Sequence, residues 1–422
     1  MTVPDQIAGP LEDWVIEQRW FASKARDVAS ANVLETIELS AAPALRLEVV
    51  ETRFHTGTHE LYQLLPGDPD GVRVLAELLG AEASVGCVSF FGGLTPTGHV
   101  RSMGADQSNT SIVFGEEQVL KVFRRIEPGE NPELEMLRFL SHRGFENVAR
   151  LTGWYEYSGE RMEATLGILQ EFVAQARDGW QLALDDPEGL LARIPELGVA
   201  TARMHNILAT DASDSAFAPE EPSEEALSLL TATIDEQIER GFLDLPAGDE
   251  RVEPIAGRGE EVRDRLQMLS HVGVGGRLIR NHGDYHLGQT MLTGERWVIL
   301  DFEGEPARSL RDRRRKRSPL RDVAGMLRSF AYAASASELL RGVPAPAGWE
   351  DRARAGYLDA YLDTIEPFLL PAGRSAIEKL LAIFELEKAV YELHYELNNR
   401  PEWVRIPVAG IHRLLEEEVS HP

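Results

Sequence analysis

The sequence is poor in cysteine and in positive charge, and it contains no long apolar run. Its single cysteine, Cys87, excludes an internal disulfide and a cysteine-rich zinc site, and it is typical of a protein from a reducing compartment. With 69 acidic residues against 43 lysines and arginines, the formal charge of −26 repels phosphate backbones, so we expect no nucleic-acid partner. No apolar stretch approaches the roughly 18 residues that a membrane-spanning helix needs.

The start of the chain, MTVPDQIAGPLEDW, carries neither the basic segment nor the apolar segment of a signal peptide. We therefore expect a cytoplasmic protein that has no membrane partner and acts as a monomer or a weak homo-oligomer. A hydrophobic content of 43% and a charged content of 27% are ordinary for a globular protein. The length of 422 residues allows two or three domains.

The chain reads as three segments. Residues 1–86 combine a helix predicted over 11–25 with alternating strand patterns, which indicates a small α+β subdomain. Residues 87–173 are strand-rich, with a hairpin formed by SIVFG and QVLKVF and a helix over NPELEMLRFLSHRG. Residues 174–422 are mainly helical, with one hairpin in QTMLTGERWVILDFEGEP. Strands first and helices second predict an α+β fold with two lobes, as in phosphotransferases.

The stretch NHGDYHLGQ, residues 281–289, allows two interpretations. On a helix, His282 and His286 would share a face and suggest a zinc hydrolase. In a loop, His-Gly-Asp followed by an amide is the core of a phosphotransferase catalytic loop. Two glycines make a helix unfavourable, so the loop interpretation is preferred. His282 is then predicted to brace the loop, whereas His286 lines the acceptor site or simply packs.

Phosphoryl transfer needs one carboxylate for the acceptor hydroxyl, and further oxygen ligands for the Mg²⁺ that binds the nucleotide phosphates. Asp284 fits the first role, as the catalytic base. Asp301 follows the apolar run WVIL and fits the second role. Gln289, five residues after Asp284, supplies a neutral carbonyl ligand, and Glu303 is an additional candidate ligand. ATP and Mg²⁺ are the cofactors that this set predicts.

Lys121 lies in the middle of a predicted strand, where it would contact the phosphates of ATP and be held by a carboxylate of the following helix. Of the two candidates, Glu133 and Glu135, we prefer Glu135. Small polar residues of the segment DQSNTS are predicted to cover the phosphates, namely Ser108, Asn109 and Thr110. The predicted hinge between the lobes, which would supply backbone groups to adenine, consists of Gln170, Glu171 and Val173.

The acceptor side is predicted from the last third of the chain. On the helix within FELEKAVYELHYELNN, polar and aromatic residues recur beside an apolar stripe, and rings next to charged groups suit a sugar. Lys388, Tyr391 and Glu392 are the predicted sugar contacts. Arg321, at the start of SPLRDVAGML, is assigned to the substrate site and, with its neighbour Asp322, to bracing of the catalytic loop. The basic run at 311–317 resembles an activation segment, in part attracting an anionic substrate or pairing with acidic segments.

Five stretches together resemble the maltokinase family: QRWFASKAR, LQEFV…DGW, HGDYHLGQ, DFEGEPARSLRDRRRKRSPLRDVAGMLRSFAYAA and EKAVYELHYELNNRPEWVRIP. The resemblance covers residues 14–408. It implies a protein-kinase-like, aminoglycoside-phosphotransferase-like fold with an N-terminal cap subdomain. The strand-rich lobe would bind the nucleotide, and the helical lobe would carry the catalytic loop and the sugar site.

The resemblance further implies ATP- and Mg²⁺-dependent phosphorylation of maltose at its anomeric hydroxyl, giving maltose 1-phosphate for α-glucan synthesis. On this sequence it makes Asp284 the base, Gln289 and Asp301 the metal ligands, and Lys121 the phosphate lysine. Two alternatives stay open: a kinase of another sugar, such as glucosamine or a monosaccharide, and a catalytically inactive kinase-like regulatory protein.

Overall fold

The computed structural model describes residues 5–93, 97–103, 108–160, 162–270, 275–305 and 308–416. The chain forms two compact units, residues 1–175 and 176–422. The division of the first unit at residue 86, and with it the three-segment scheme, stays a prediction. No helix among the described ranges has the length and apolar character needed to cross a bilayer.

Within the described ranges, the first unit combines two antiparallel sheets with three helices. One sheet has the strand order β1-β2-β3-β9, and the other has the order β4-β5-β10-β11-β8-β7-β6. The helices are α1 (Leu11–Glu17), α2 (Val72–Gly80) and α3 (Pro132–His142). The strands are β1 (Val28–Ala41), β2 (Ala44–Phe54), β3 (His59–Leu64), β4 (Ser84–Val85), β5 (Val88–Phe91), β6 (Val100–Ser102), β7 (Asn109–Phe114), β8 (Gln118–Phe123), β9 (Arg125–Ile126), β10 (Leu151–Ser158) and β11 (Glu163–Glu171).

The helix predicted over 11–25 ends early, at Glu17, because the chain turns to bury two neighbouring rings. Gln18 has an extended backbone, with φ −71° and ψ 139°. Trp20 and Phe21 are each 1% exposed, and both rings pack against Tyr62 of β3. Adjacent residues on a helix point about 100° apart, so a continued helix would bury only one of the two rings in the same core.

The predicted hairpin of this unit is confirmed. Strands β7 and β8 pair antiparallel from Asn109↔Phe123 to Phe114↔Gln118, and the turn between them holds Gly115 at φ +59°. Along β8, Lys121 stays partly exposed while Leu120 and Val122 are buried. The period of two in this strand therefore separates the lysine from the core.

The second unit is mainly helical, with a small three-stranded sheet of order β12-β13-β14. The strands are β12 (Arg177–Asp178), β13 (Thr290–Leu292) and β14 (Trp297–Ile299). The helices are α4 (Gly179–Asp185), α5 (Pro187–Leu191), α6 (Ile194–Leu208), α7 (Glu224–Leu243), α8 (Gly259–Ser270), α9 (Leu310–Arg313), α10 (Leu320–Arg341), α11 (Trp349–Thr364), α12 (Arg374–Asn399) and α13 (Arg405–Glu416).

Two long helices, α10 and α12, form the frame of this unit. Helix α10 ends at Gly342, whose φ of +66° is the left-handed conformation in which glycine ends helices. Helix α12 ends before Pro401, which disfavours helical backbone in the preceding residue. The two helices pack on each other. The loop of residues 281–289 leads directly into the hairpin β13–β14.

Candidate active site

The stretch 281–289 is a loop, apart from one 3-10 turn at Leu287–Gln289. Gly283 has φ +85°, a conformation that L side chains rarely adopt, and a Cβ added there would lie 3.5 Å from Gly304 Cα. The two histidines therefore share no helical face, and the zinc interpretation loses its basis. We refer to residues 281–289 below as the catalytic loop.

His282 braces this loop, as predicted. The residue is 1% exposed, and its ring lies 5.1 Å from the ring of Tyr285 and 4.9 Å from that of Phe302. Its Nε2 lies 2.8 Å from the Leu300 carbonyl, and its Nδ1 accepts from the Asp284 N–H at 3.4 Å. Because Nδ1 accepts, Nε2 carries the proton and donates to Leu300. His282 thus ties the catalytic loop to the segment that contains Asp301.

Asp322 of α10 binds the backbone of the catalytic loop. Its carboxylate accepts from the His282 N–H at 2.7 Å and the Gly283 N–H at 3.0 Å, and it lies 3.1 Å from His205 Nε2. Burial by itself would raise the pKa of Asp322, but the hydrogen bond and charge of His205 and the backbone donor outweigh burial, so the pKa lies below its usual value. The predicted bracing role of Asp322 is confirmed; its partner His205 carries no signal in the sequence.

Asp284 lies on the wall of an open cleft of about 830 Å³ in the second unit. Its Oδ1 is 3.6 Å from Lys388 Nζ, and the two side chains are 25% and 35% exposed. We name this space the acceptor cleft. Its other lining side chains include those of Gln237, Glu305, Arg308, Asp312, Arg313, Arg317, Arg321, Phe384, Glu387 and Tyr391.

Gln289 and Asp301 meet directly, since Gln289 Nε2 donates to Asp301 Oδ2 at 3.0 Å. This bond leaves the amide carbonyl of Gln289 available as a ligand. Asp301 has φ +60°, a conformation that is uncommon for residues other than glycine and that recurs at active sites. Two carboxylates, Asp301 and the half-buried Glu303, with one amide oxygen form the kind of oxygen set that Mg²⁺ takes, so the residues present fit that metal.

In the first unit, Lys121 forms a nearly buried ion pair with α3. Lys121 Nζ lies 2.7 Å from Glu133 Oε2, and the side chains are 13% and 2% exposed. Asn131 caps the helix by accepting from the Glu133 N–H, as its position predicts. The strand lysine is therefore paired with a carboxylate of the following helix, and that carboxylate belongs to Glu133. This pair gives no support to the preference for Glu135, which is also buried.

Comparison with known proteins defines the family. Residues 99–368, more than half of the chain, match the model of the phosphotransferase enzyme family. The chain belongs to the phosphotransferase enzyme family. Residues 14–67 match the maltokinase N-terminal cap domain. The family resemblance stated from the motifs is thus confirmed, and with it an enzyme that transfers a phosphoryl group to a hydroxyl acceptor.

Two curated relatives and one solved structure cover most of the chain. The chain is 28% identical over 376 residues to a glucosamine kinase of Streptacidiphilus jiangxiensis, which is 84% of this chain and 83% of the relative. It is 26% identical over 334 residues to a glucosamine kinase of Mycolicibacterium smegmatis, 76% of this chain and 80% of the relative. A structure of glucosamine kinase in complex with glucosamine, ADP and inorganic phosphate has a TM-score of 0.73 at 21% identity and covers 97% of this chain and 100% of its own; this shows the shared fold.

The structure places the residues that were predicted to cover the ATP phosphates in different surroundings. Asp106 and Gln107 lie outside the described residues, and Ser108 is exposed. Asn109 and Thr110 belong to β7 and are buried. The Thr110 hydroxyl accepts from Arg124 Nε at 2.8 Å, so the assignment of Thr110 to ATP is corrected: this hydroxyl satisfies a buried guanidinium.

The predicted hinge residues lie at the end of β11. Gln170 pairs with Val119 of β8 and Leu151 of β10, and the Glu171 N–H donates to the Arg150 carbonyl at 3.0 Å. Val173 follows the strand and is half-buried. Strand pairing therefore engages backbone groups of Gln170 and Glu171, and the adenine contact of the three residues stays a prediction.

Of the predicted sugar contacts, Lys388 and Tyr391 line the acceptor cleft and Glu392 does not. Glu392 is 9% exposed, and its Oε2 lies 2.7 Å from Nη2 of the buried Arg328 on α10. We therefore correct the assignment of Glu392: it neutralises a buried arginine. Burial and the Glu305 carboxylate raise the pKa of Tyr391 to about 12, so its hydroxyl is a donor at neutral pH.

Glu387 was missed, although its spacing carried a signal. Phe384, Glu387, Lys388 and Tyr391 follow the i, i+3, i+4, i+7 pattern of one helix face, and all four line the cleft. Glu387 accepts from Nη2 of Arg321, whose predicted place at the substrate site is consistent with its position on the cleft wall. The residues that line the cleft thus lie on the predicted face of α12 and extend it by one helical turn towards the N-terminus of the helix.

His286 does not line the acceptor cleft. Its Nδ1 accepts from the Gly288 N–H at 3.1 Å and so caps the 3-10 turn of the catalytic loop. Burial lowers the pKa of His286 below its usual value, which keeps the ring neutral and able to accept this bond. Of the two roles left open for His286, the geometry favours packing.

Proposed function

We propose that the chain is an ATP-dependent sugar kinase in which Asp284 activates the acceptor hydroxyl. The observation that carries this proposal is the position of Asp284: its carboxylate lies on the wall of the acceptor cleft, on a loop that is fixed from both sides by His282 and Asp322. A carboxylate held at the edge of a polar cleft can take the proton of a bound hydroxyl.

In the proposed reaction, the hydroxyl proton moves to a carboxylate oxygen of Asp284, the hydroxyl oxygen bonds to the γ-phosphorus, and ADP leaves with the electrons of the broken P–O bond. Lys388, 3.6 Å from Asp284, orients the carboxylate. Asp301, Gln289 and Glu303 would hold Mg²⁺, which neutralises phosphate charge when bound. Lys121, fixed by Glu133, would contact the nucleotide phosphates.

Maltose is the acceptor that we propose first. The match of residues 14–67 to the maltokinase cap domain supports it, as do the family motifs in α10 and α12. The charges of the cleft also favour a neutral sugar, because its carboxylates already have cationic partners. Glu387 is paired with Arg321, Glu305 with Arg308, and Asp284 with Lys388. An ammonium group would have to displace one of these cations.

Glucosamine is the second candidate. It is supported by the names of both curated relatives, each of which matches this chain over about three quarters or more of its length. Its amino group would be held by a carboxylate such as Glu305, whose pair with Arg308 on the cleft wall is partly exposed and can therefore rearrange.

The two candidates are separated by an acceptor panel. Purified protein is incubated with ATP, Mg²⁺ and maltose, glucosamine, glucose or N-acetylglucosamine, ADP release is measured, and the phosphorylated position of each product is identified by NMR. We expect the highest kcat/KM with maltose and a product phosphorylated at the anomeric oxygen. A preference for glucosamine would replace the first candidate by the second, and no turnover of any sugar would contradict the proposed function.

Gln237 of α7 offers a check on the acceptor position. Its Oε1 is buried and has no hydrogen-bond partner among the described residues, although the side chain lines the acceptor cleft. A buried acceptor without a partner costs about 1–3 kcal/mol, which a sugar hydroxyl would relieve. We expect Gln237→Leu to raise the acceptor KM about tenfold, whereas Glu239→Gln, on the exposed side of the same helix, serves as the matched control.

A further inference from the structure

Arg317 is a half-buried guanidinium without an anionic partner. It lines the acceptor cleft, and among the described parts of the chain no carboxylate pairs with it and no side-chain hydrogen bond engages it. Its backbone is held firmly, because Arg317 and Ile279 exchange N–H···O bonds of 2.8 and 3.0 Å. The neighbouring Lys316 shows the contrast: its Nζ lies 2.7 Å from Glu220 Oε1.

The neighbours of Arg317 on the cleft wall carry charges of both signs. Arg308 and Arg321 line the same cleft and repel the Arg317 guanidinium, whereas Glu387 and Asp312, also on the cleft wall, attract it without pairing with it. Burial, followed by these two arginines, lowers the pKa of Arg317 to about 10. Leaving a partly desolvated charge uncompensated is unfavourable, and folded proteins normally pair such groups. A bound anion would complete the arrangement.

We propose that Arg317, with Arg308 and Arg321 beside it, forms a binding site for the phosphate group of a phosphorylated sugar. A guanidinium presents a planar fork of donors that matches two phosphate oxygens, and Arg308 and Arg321, although each is paired with a carboxylate, would offer their remaining N–H groups beside it. The residues reside in the cleft that holds Asp284, where a neutral acceptor enters and a phosphate ester leaves.

The same cleft supplies the surface for the sugar part of this ligand. Phe384 and Tyr391 contribute ring faces to its wall, and such faces pack against the C–H groups of a sugar ring. This distinguishes a sugar phosphate from inorganic phosphate, which uses only the charges. The consequence is that the enzyme retains or senses a sugar phosphate at its acceptor site, in competition with the unphosphorylated sugar. The inference holds for any sugar acceptor.

The test is a binding measurement without nucleotide, so it gives a result even if the chain phosphorylates none of the sugars offered. Calorimetric titrations of the full chain use maltose, maltose 1-phosphate, glucose 1-phosphate and inorganic phosphate as probes. We expect a sugar phosphate to bind more tightly than its parent sugar and than inorganic phosphate. Arg317→Gln should weaken its binding by about 10- to 100-fold, and higher salt should weaken it as well.

Arg311→Gln is the matched control, because Arg311 belongs to the same basic run but is exposed and does not line the cleft. It should leave sugar-phosphate binding unchanged. Equal affinity of the natural chain and Arg317→Gln for both sugar phosphates would overturn the proposal. If Arg317→Gln does not fold, the natural chain alone decides: sugar phosphates that bind no more tightly than their parent sugars contradict the site.

Discussion

Replacing Asp322 by alanine should both destabilise the second unit and slow phosphoryl transfer. Three donors lose their acceptor: the His282 N–H, the Gly283 N–H and the His205 imidazole. Each buried unsatisfied group costs about 1–3 kcal/mol. Alanine also removes the cost of burying the Asp322 carboxylate, which is 2% exposed. This gain offsets part of the sum. We therefore expect a net loss of about 3–5 kcal/mol in the free energy of unfolding.

For a unit of this size, that loss corresponds to a decrease in Tm of about 6–20 °C, at 2–4 °C per kcal/mol. The catalytic loop also loses its support from α10, and a displacement of about 1 Å at a catalytic group lowers kcat by up to about a hundredfold. Asp322→Asn, which keeps one acceptor oxygen, should show an intermediate effect. Thermal unfolding and ADP release with the preferred sugar measure the two quantities.

Asp359→Ala provides the control for the loss of a carboxylate. Asp359 is exposed and lies 3.7 Å from the equally exposed Arg374, and such pairs contribute little. Its Tm and kcat should stay close to those of the natural chain. If the free energy of unfolding of Asp322→Ala lies within about 1 kcal/mol of that of the natural chain, and its kcat is unchanged, then Asp322 does not support the loop as proposed.

Three further predictions concern single side chains. Asp284→Asn should lower kcat by a factor of about 10²–10⁴ while ADP affinity, measured by calorimetry, is retained. Full activity of this variant would exclude Asp284 as the catalytic base. Glu392→Gln should reduce the free energy of unfolding by about 2–3 kcal/mol, since Arg328 loses its counter-charge, and leave the acceptor KM unchanged; a raised KM would restore Glu392 to the sugar site. The pKa of His286 is lowered on folding, so stability is complete above the unfolded pKa of about 6.5 and declines as pH falls below it. His286→Asn should remove this contribution, so that the difference in the free energy of unfolding between urea titrations at high and low pH becomes smaller. An unchanged difference would contradict the prediction.

The elements that the sequence predicts well are those whose signals are local. Helix α10 ends at Gly342 and helix α12 ends just before Pro401, so the signals that end both helices are visible in the local sequence. The catalytic loop was recognisable because two glycines exclude a helix and because Asp284 and Gln289 lie five residues apart. In these cases short-range preferences and the final packing agree.

The errors concern side chains whose partners lie outside their own helix or strand. Glu392 reads as a sugar contact on α12 until Arg328, 64 residues earlier, is placed against it. Thr110 reads as a phosphate donor until Arg124 is found to be buried beside it, with Asp5 as its counter-ion. No periodicity within α12 or β7 reports these buried arginines. A helix face that is polar in sequence is therefore assigned only when the neighbouring element is known.

The left-handed backbone of Asp301 affects how the chain tolerates substitution. Asparagine adopts positive φ more readily than most residues, whereas alanine in this conformation costs about 1–2 kcal/mol. Asp301→Asn would thus remove one negative charge while keeping the fold and the neighbouring loop intact. If Asp301 holds Mg²⁺ as proposed, a single such change would remove a metal ligand without loss of stability, and the chain would persist as a folded protein that no longer catalyses.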